Sequence, residues 1–195
     1  MVSPTQITRK ASLAANASLQ PGSSYAQPFD LLEACHQRVQ RSLDLLLRLC
    51  EHLRASGVDA NARSAAQDLL RYFDVAAPLH HQDEELHVFP ALERGQQAEL
   101  LQACQMLRRQ HEDIHRQWLA LRGALAPLTA AADGALSEPE CAELARLAQL
   151  FVTLHAEHLA CEDGLVFPAA AAALDAQQLE RMGREMAARR GLQLP

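Results

Sequence analysis

Two stretches of the chain carry the same arrangement of ionisable residues. One reads His80-His-Gln-Asp-Glu84-Glu85-Leu-His-Val-Phe89-Pro90-Ala91, and the other His158-Leu-Ala-Cys-Glu162-Asp163-Gly-Leu-Val-Phe167-Pro168-Ala169. Both follow H-x-x-x-E-[ED]-x-x-x-F-P-A, and they lie 78 residues apart. Residues i and i+4 stand one above the other on a helix face, about 6 Å apart along its axis. An H-x-x-x-E pair therefore offers an imidazole and a carboxylate to one interior point. His36 and His111, 75 residues apart, occupy comparable places in two further helical segments, so the chain reads as a duplicated helical hairpin. Such groups are costly to bury unless something pairs them. Two metal ions bridged by Glu84 and Glu162 would meet that cost.

The third helical segment adds His111-x-x-x-His115. With His115 the set is five histidines and two carboxylates. One metal would take His111, His115 and His158; the other would take His36 and His80 and keep a position open for a small ligand. Mixed imidazole and carboxylate donors suit Fe, Mn, Zn or Cu, whereas Mg and Ca want oxygen alone. Ferritin-like di-iron proteins use four carboxylates and two histidines with a Glu-x-x-His spacing, the reverse of the order here. Neutral imidazoles leave less negative charge on the metals, which favours a ferrous pair and reversible ligand binding over oxidation.

The remaining histidines read as supporting residues. His155 would orient a ligand or line the pocket. His87, seven residues beyond His80, falls toward the bundle end. His81, turned about 100° from His80, would face a neighbouring helix or solvent and pair with Glu85. His52 compensates a helix dipole. Cys35 and Cys161 are rotated away from His36 and Glu162 and are expected to pack in the core.

Helices must position these residues, and the composition supplies them: Ala, Leu, Gln, Glu and Arg dominate, and β-branched residues are sparse. The first helix is expected over about Asp30 to Arg54, with Leu32, Cys35, Val39, Leu43, Leu46, Cys50 and Leu53 inward. The second runs from about Asn61 to Leu92, with Tyr72, Phe73, Val75 and Leu79 inward, a kink near Asp74–Pro78 and a disturbance at Pro90. The third covers about Ala98 to Leu125, with Leu101, Met106, Ile114, Trp118 and Leu121 inward. A capping box from Ser137 to Glu140 opens the fourth, which reaches about Val166 before Pro168. Asp175 caps a shorter fifth helix that ends at Gly191. The expectation is an all-α fold: an antiparallel up-down-up-down four-helix bundle over 28–174, a C-terminal helix packed on it over 175–195, and a flexible N-terminal tail over 1–27.

These motifs identify a resemblance. Over roughly residues 28–170, through His36, His80-x-x-x-Glu84, His111-x-x-x-His115 and His158-x-x-x-Glu162, the chain resembles the hemerythrin family in its bacterial HHE cation-binding branch. The resemblance implies a carboxylate-bridged non-haem centre with two irons per chain, Zn or Mn being the alternatives. It implies a protein that binds or senses oxygen or related small oxidants, without established turnover. The alternatives are a peroxide- or nitric oxide-reducing di-iron enzyme, and a protein of iron homeostasis or iron–sulfur repair. Oxygen carriers of the family use His-x-x-x-x-Asp on the last helix. That spacing reaches Asp163 here, while the Phe-Pro register selects Glu162. They also place an apolar residue where this chain has His155, which implies a more polar pocket.

The formal net charge of −6 argues against a nucleic-acid partner. No apolar run approaches the roughly 20 residues of a membrane span. Five cysteines without a CxxC pair read as thiols of a reducing compartment, hence the cytoplasm. The expected partner is a small diatomic or peroxide ligand. The acid-free, Ser- and Ala-rich start has a composition like that of a targeting peptide, but a disordered tail is the expectation.

Overall fold

A computed structural model describes residues 25–193. The expected N-terminal tail falls outside the described residues up to position 24, while Tyr25, assigned to that tail from sequence, is buried. Among the described residues the chain is helical, with one isolated bridge between Val58 and Gly134. Helix α1 spans Pro28–Ser56. Helix α2 runs continuously over 60–94, as Ala60–Arg71, a π turn Tyr72–Ala76, Ala77–Asp83, a second π turn Glu84–Val88, and Phe89–Arg94. Helix α3 is Ala98–Leu125 and runs into a 3₁₀ turn, Ala126–Ala130. Helix α4 covers 138–173, as Glu138–Cys161, a π turn Glu162–Val166, and Phe167–Ala173. Helix α5 is Ala176–Arg189. None of these helices is long and apolar enough to cross a membrane.

Side chains start three of them. Asp59 accepts from the Ala62 amide at 2.8 Å, and Ser137–Glu140 and Asp175–Gln178 form reciprocal capping boxes. The prolines do not end α2 or α4. Each π turn stops directly before an x-Pro pair, and the x residue donates to the carbonyl five back: Ala77 to Tyr72, Phe89 to Glu84, Phe167 to Glu162. Proline lacks a donor and crowds the carbonyl four residues back. One widened turn absorbs both defects and lets the helix continue. The kink expected near Asp74–Pro78 is therefore a π turn, and α4 runs past Val166 to Ala173.

The apolar core divides into two clusters. One holds Val39, Leu43, Phe73, Ala77, Ile114, Trp118 and Phe151. The other holds Leu32, Val88, Phe89, Leu107, Val166, Phe167 and Met182. Along α1 and α3 the chain passes from the second cluster to the first, and along α2 and α4 from the first to the second. Each time it crosses a layer of buried histidine and glutamate. The inward stripe of α3 is Leu100, Ala103, Cys104, Leu107, His111, Ile114, Trp118, Leu121 and Leu125. Met106 and, on α2, Val75 are exposed, against the sequence expectation; Val75 sits within the first π turn, which changes the helical register. Leu79 and Leu101 are only half-buried.

Helix α5 closes one end. Gly183 lies against the backbone of Tyr25, where a Cβ would sit 1.8 Å from the Tyr25 carbonyl oxygen. Met182, Met186 and Ala187 complete the second cluster. Arg189 and Arg190 donate at 2.7 Å to the two carboxylate oxygens of Asp83, which is fully buried beside Glu84. Removing both cations strands a buried carboxylate. The double variant Arg189→Ala/Arg190→Ala is expected to lose about 3–5 kcal/mol in urea denaturation. A loss below the roughly 1 kcal/mol of an exposed pair would show that this clasp does not hold α5.

Candidate metal centre

His36 from α1, His80 and Glu84 from α2, His111 from α3, and His158 and Glu162 from α4 meet in the polar layer between the two apolar clusters. Each is at most 5% exposed. The carboxylates have a shared pattern. Glu84 turns Oε1 toward His80 Nε2 at 3.2 Å and His36 Nε2 at 3.9 Å, and Oε2 toward His111 Nε2 at 3.4 Å. Glu162 turns Oε2 toward His36 Nε2 at 3.1 Å, and Oε1 toward His158 Nε2 at 3.1 Å and His111 Nε2 at 3.9 Å. Each carboxylate thus gives one oxygen to the His36 side and one to the His111 side.

The outer ring nitrogens are held separately. His36 Nδ1–H donates to Asp163 at 2.7 Å, and His111 Nδ1–H donates to Glu85 at 2.7 Å. His158 Nδ1–H donates to the side-chain amide oxygen Oε1 of Gln110 at 3.2 Å. Such bonds fix the tautomer and aim the Nε2 lone pair inward. They also give Asp163 a different place from Glu162: it is 47% exposed and holds His36 from outside, while Glu162 is fully buried. Phe167 stacks on His36 at 4.9 Å and Phe89 on His111 at 5.7 Å. The repeated E-[ED]-x-x-x-F element therefore works across the duplication. Each copy sends a carboxylate inward and clamps the lone histidine of the opposite half with an acid and a ring.

The inner atoms are left over. Both oxygens of Glu84 and of Glu162, and Nε2 of His36, His80, His111 and His158, are buried with no hydrogen-bond partner, despite the short approaches. Buried polar groups left unpaired cost more than a hydrogen bond gains, and charged ones most. Cations placed among them would satisfy these atoms. Two groups have ligand atoms within 4.8 Å of one another: His36, His80, Glu84 and Glu162; and His81, Glu84, His111 and His158.

Without a cation, the charges sort by burial and neighbours. Burial pushes Glu84 up, as does Glu162, but His80, His111 and His36 outweigh both and hold it below the usual carboxylate range. Glu162 is held lower still: burial again opposes, and His111, His158 and His36 prevail. Burial would lower His36 and His111, yet the two carboxylates overcome it and raise each to about 10. His80 is lowered to about 4 by burial, so it stays neutral.

One expected ligand is absent from the cluster. His115 is exposed and lines a surface cleft of about 250 Å³ with Phe73, Trp118 and Phe151. At about 100° per residue, the buried stripe of α3 centres between His111 and Ile114, and His115 falls on the far side of His111. His81 stands in the cluster instead. Its ring stacks on His111 at 4.0 Å and 8°, and Glu85, its expected partner, is taken by His111. The signal for His81 was the His80-His81 doublet, which has no counterpart at Leu159 in the second repeat. Among the other histidines, His155 is buried and outside both groups, His87 meets Arg189 and Glu185, and His52 pairs with Asp59. All five cysteines are free, and burial pushes the Cys35 thiol up to about 11, leaving it protonated.

The family model described as the hemerythrin HHE cation binding domain matches residues 27–170. An uncharacterized protein of Haemophilus influenzae is 33% identical over 171 residues, covering 88% of this chain and 94% of its own length.

The raised histidines have a consequence for the metal-free protein. Their folded pKa of about 10 lies above the ordinary 6.5, so their contribution to stability is complete below 6.5 and is lost as pH rises toward 10. In the variant Glu84→Gln/Glu162→Gln the two inner carboxylates no longer raise these histidines, burial is opposed by Asp163 on His36 and Glu85 on His111, and both pKa values fall from about 10. Histidine NMR titration of the two metal-free proteins should find that downward move. Urea denaturation should find a larger alkaline loss of stability in the wild type than in the variant.

Proposed function

The chain belongs to the hemerythrin HHE cation-binding family, and on that premise we propose that the buried cluster holds two iron ions bridged by Glu84 and Glu162 and binds or senses oxygen or a related small oxidant. The observation that carries this reading is the division of each carboxylate, one oxygen to each side of the cluster, with eight buried donor atoms otherwise unpaired. The alternating order in which the four long helices cross the two apolar clusters supports the antiparallel up-down-up-down bundle of this family.

His36 and His80 would serve one ion, His111 and His158 the other. Iron supplies reversible change between ferrous and ferric states and a coordination position for a small ligand. The protein's own work is to keep the imidazoles aimed. Asp163, Glu85 and Gln110 hold the outer nitrogens of His36, His111 and His158, which makes those ligands more basic. The apolar clusters on either side keep the layer out of water, which would strengthen the hold of Glu84 and Glu162 on bound cations. Protein freshly purified after iron loading should contain two irons per chain and develop oxo-bridged absorption in the near ultraviolet on exposure to air. Glu84→Ala/Glu162→Ala should lose both. A wild-type protein that takes up zinc but cannot be loaded with iron would overturn the assignment.

His155 favours a second reading, peroxide reduction at the same centre. Its Nδ1–H donates to the Phe151 carbonyl at 2.9 Å, so Nε2 is a lone-pair acceptor, buried and unpartnered, one turn before His158. Burial lowers it to about 4 and keeps it neutral. An acceptor there would hold a proton-bearing ligand such as hydrogen peroxide better than a bare diatomic gas. Steady peroxide reduction by the iron-loaded protein with ascorbate supplied as the electron donor, falling at least about tenfold in His155→Phe with iron content unchanged, is the result this reading requires. Absence of turnover in the wild type leaves binding or sensing alone.

A further inference from the structure

His81 breaks the symmetry of an otherwise duplicated centre. The two halves correspond in His36 and His111, in His80 and His158, in Glu84 and Glu162, in Glu85 and Asp163, and in Phe89 and Phe167. At the place of His81 the second half has Leu159, a buried member of an apolar cluster. His81 lies on the flank of α2 that faces α3. It stacks on His111 and stands edge-on to His158, with ring centroids 5.5 Å apart. One of its ring nitrogens lies within 4.8 Å of donor atoms of Glu84, His111 and His158, whereas the group around His36 and His80 includes no third histidine.

We propose that His81 is a direct metal ligand and makes the two metal positions unequal: three imidazoles, from His81, His111 and His158, at one, and two, from His36 and His80, at the other. The assignment rests on the two-metal reading above and adds to it a ligand that the repeat motif does not contain. Glu84 belongs to both groups, and Glu162, grouped with His36 and His80, also turns Oε1 toward His158 at 3.1 Å, so the third imidazole is the main difference between the two sides. With Glu162 Oε1 counted beside His158, the three-imidazole position has the larger set and fills first. Loss of His81 leaves two imidazoles on each side and removes the preference. The cleft of about 250 Å³ lies on the outer side of His81, so this imidazole also forms the wall between that cleft and the centre.

Anaerobic titration of the metal-free protein with Co²⁺, followed by its visible absorption and by calorimetry, tests the inference without any activity. Wild type should bind two ions in two resolved steps. His81→Phe keeps a ring against His111 but has no donor atom; its tighter step should weaken at least about tenfold, the scale on which changes around a metal centre act. In His81→Gly, added imidazole should restore that step. His115→Phe should bind as wild type. Thermal melts of the metal-free variants show whether each is folded, and His81→Gly with imidazole serves if His81→Phe melts low. If His81→Phe binds both ions with wild-type affinities, or imidazole leaves His81→Gly unchanged, His81 is a packing residue and the inference fails while the two-metal reading stands. If wild type binds no Co²⁺ and no Fe²⁺, both fail together.

Discussion

Two carboxylates sit fully buried within reach of each other, and the rest of the molecule answers to that. Each charge costs several kcal/mol to remove from water, and their mutual repulsion adds to it. In the metal-free protein, protons on His36 and His111 offset the charge. The four imidazoles that converge on Glu84 and Glu162 do not share the pattern of a satisfied polar core, because their inner atoms approach at 3.1–3.9 Å without forming hydrogen bonds. Donors so arranged suit a positive charge placed among them.

The duplication explains how so much precision comes from so short a motif. A helix positions a side chain well along its axis, but the direction of a long ring needs outside support. Each repeat provides that support for the other half. Glu85 and Phe89 on α2 hold His111 on α3, and Asp163 and Phe167 on α4 hold His36 on α1. The π turns contribute directly. Two of them begin at Glu84 and Glu162 themselves, where the Phe-Pro pairs that follow demand a widened turn. The prolines shape the helix beside the site without ending it.

Around this layer the fold is held by apolar packing on both sides and by α5 at one end. The clasp of Arg189 and Arg190 on Asp83 ties α5 to the residue next to Glu84. The histidine departures, His81 and His155, lie where the two halves differ, with Leu159 and Ala77 at the corresponding positions.

The all-helical class, the duplication, and the convergence of His36, His80, Glu84, His111, His158 and Glu162 were legible in the sequence, because i, i+4 spacing and apolar periodicity are local properties that a helix converts directly into a face. The Phe-Pro register likewise pointed to Glu162, and it is Glu162 that is buried in the layer while Asp163 stands half-exposed outside it. The fifth histidine was not legible. His111 and His115 share the i, i+4 spacing, but which side of His111 faces the core depends on how α3 is rotated against its neighbours, and that rotation put Ile114 inside and His115 in solvent. His81 entered the cluster from the flank of α2, where a single-helix projection points outward and only the presence of α3 supplies something to meet. The roles of Glu85, Asp163, Phe89 and Phe167 were equally hidden. Their spacing was visible, but each acts on a residue in another helix, and only the packed helices bring those pairs together.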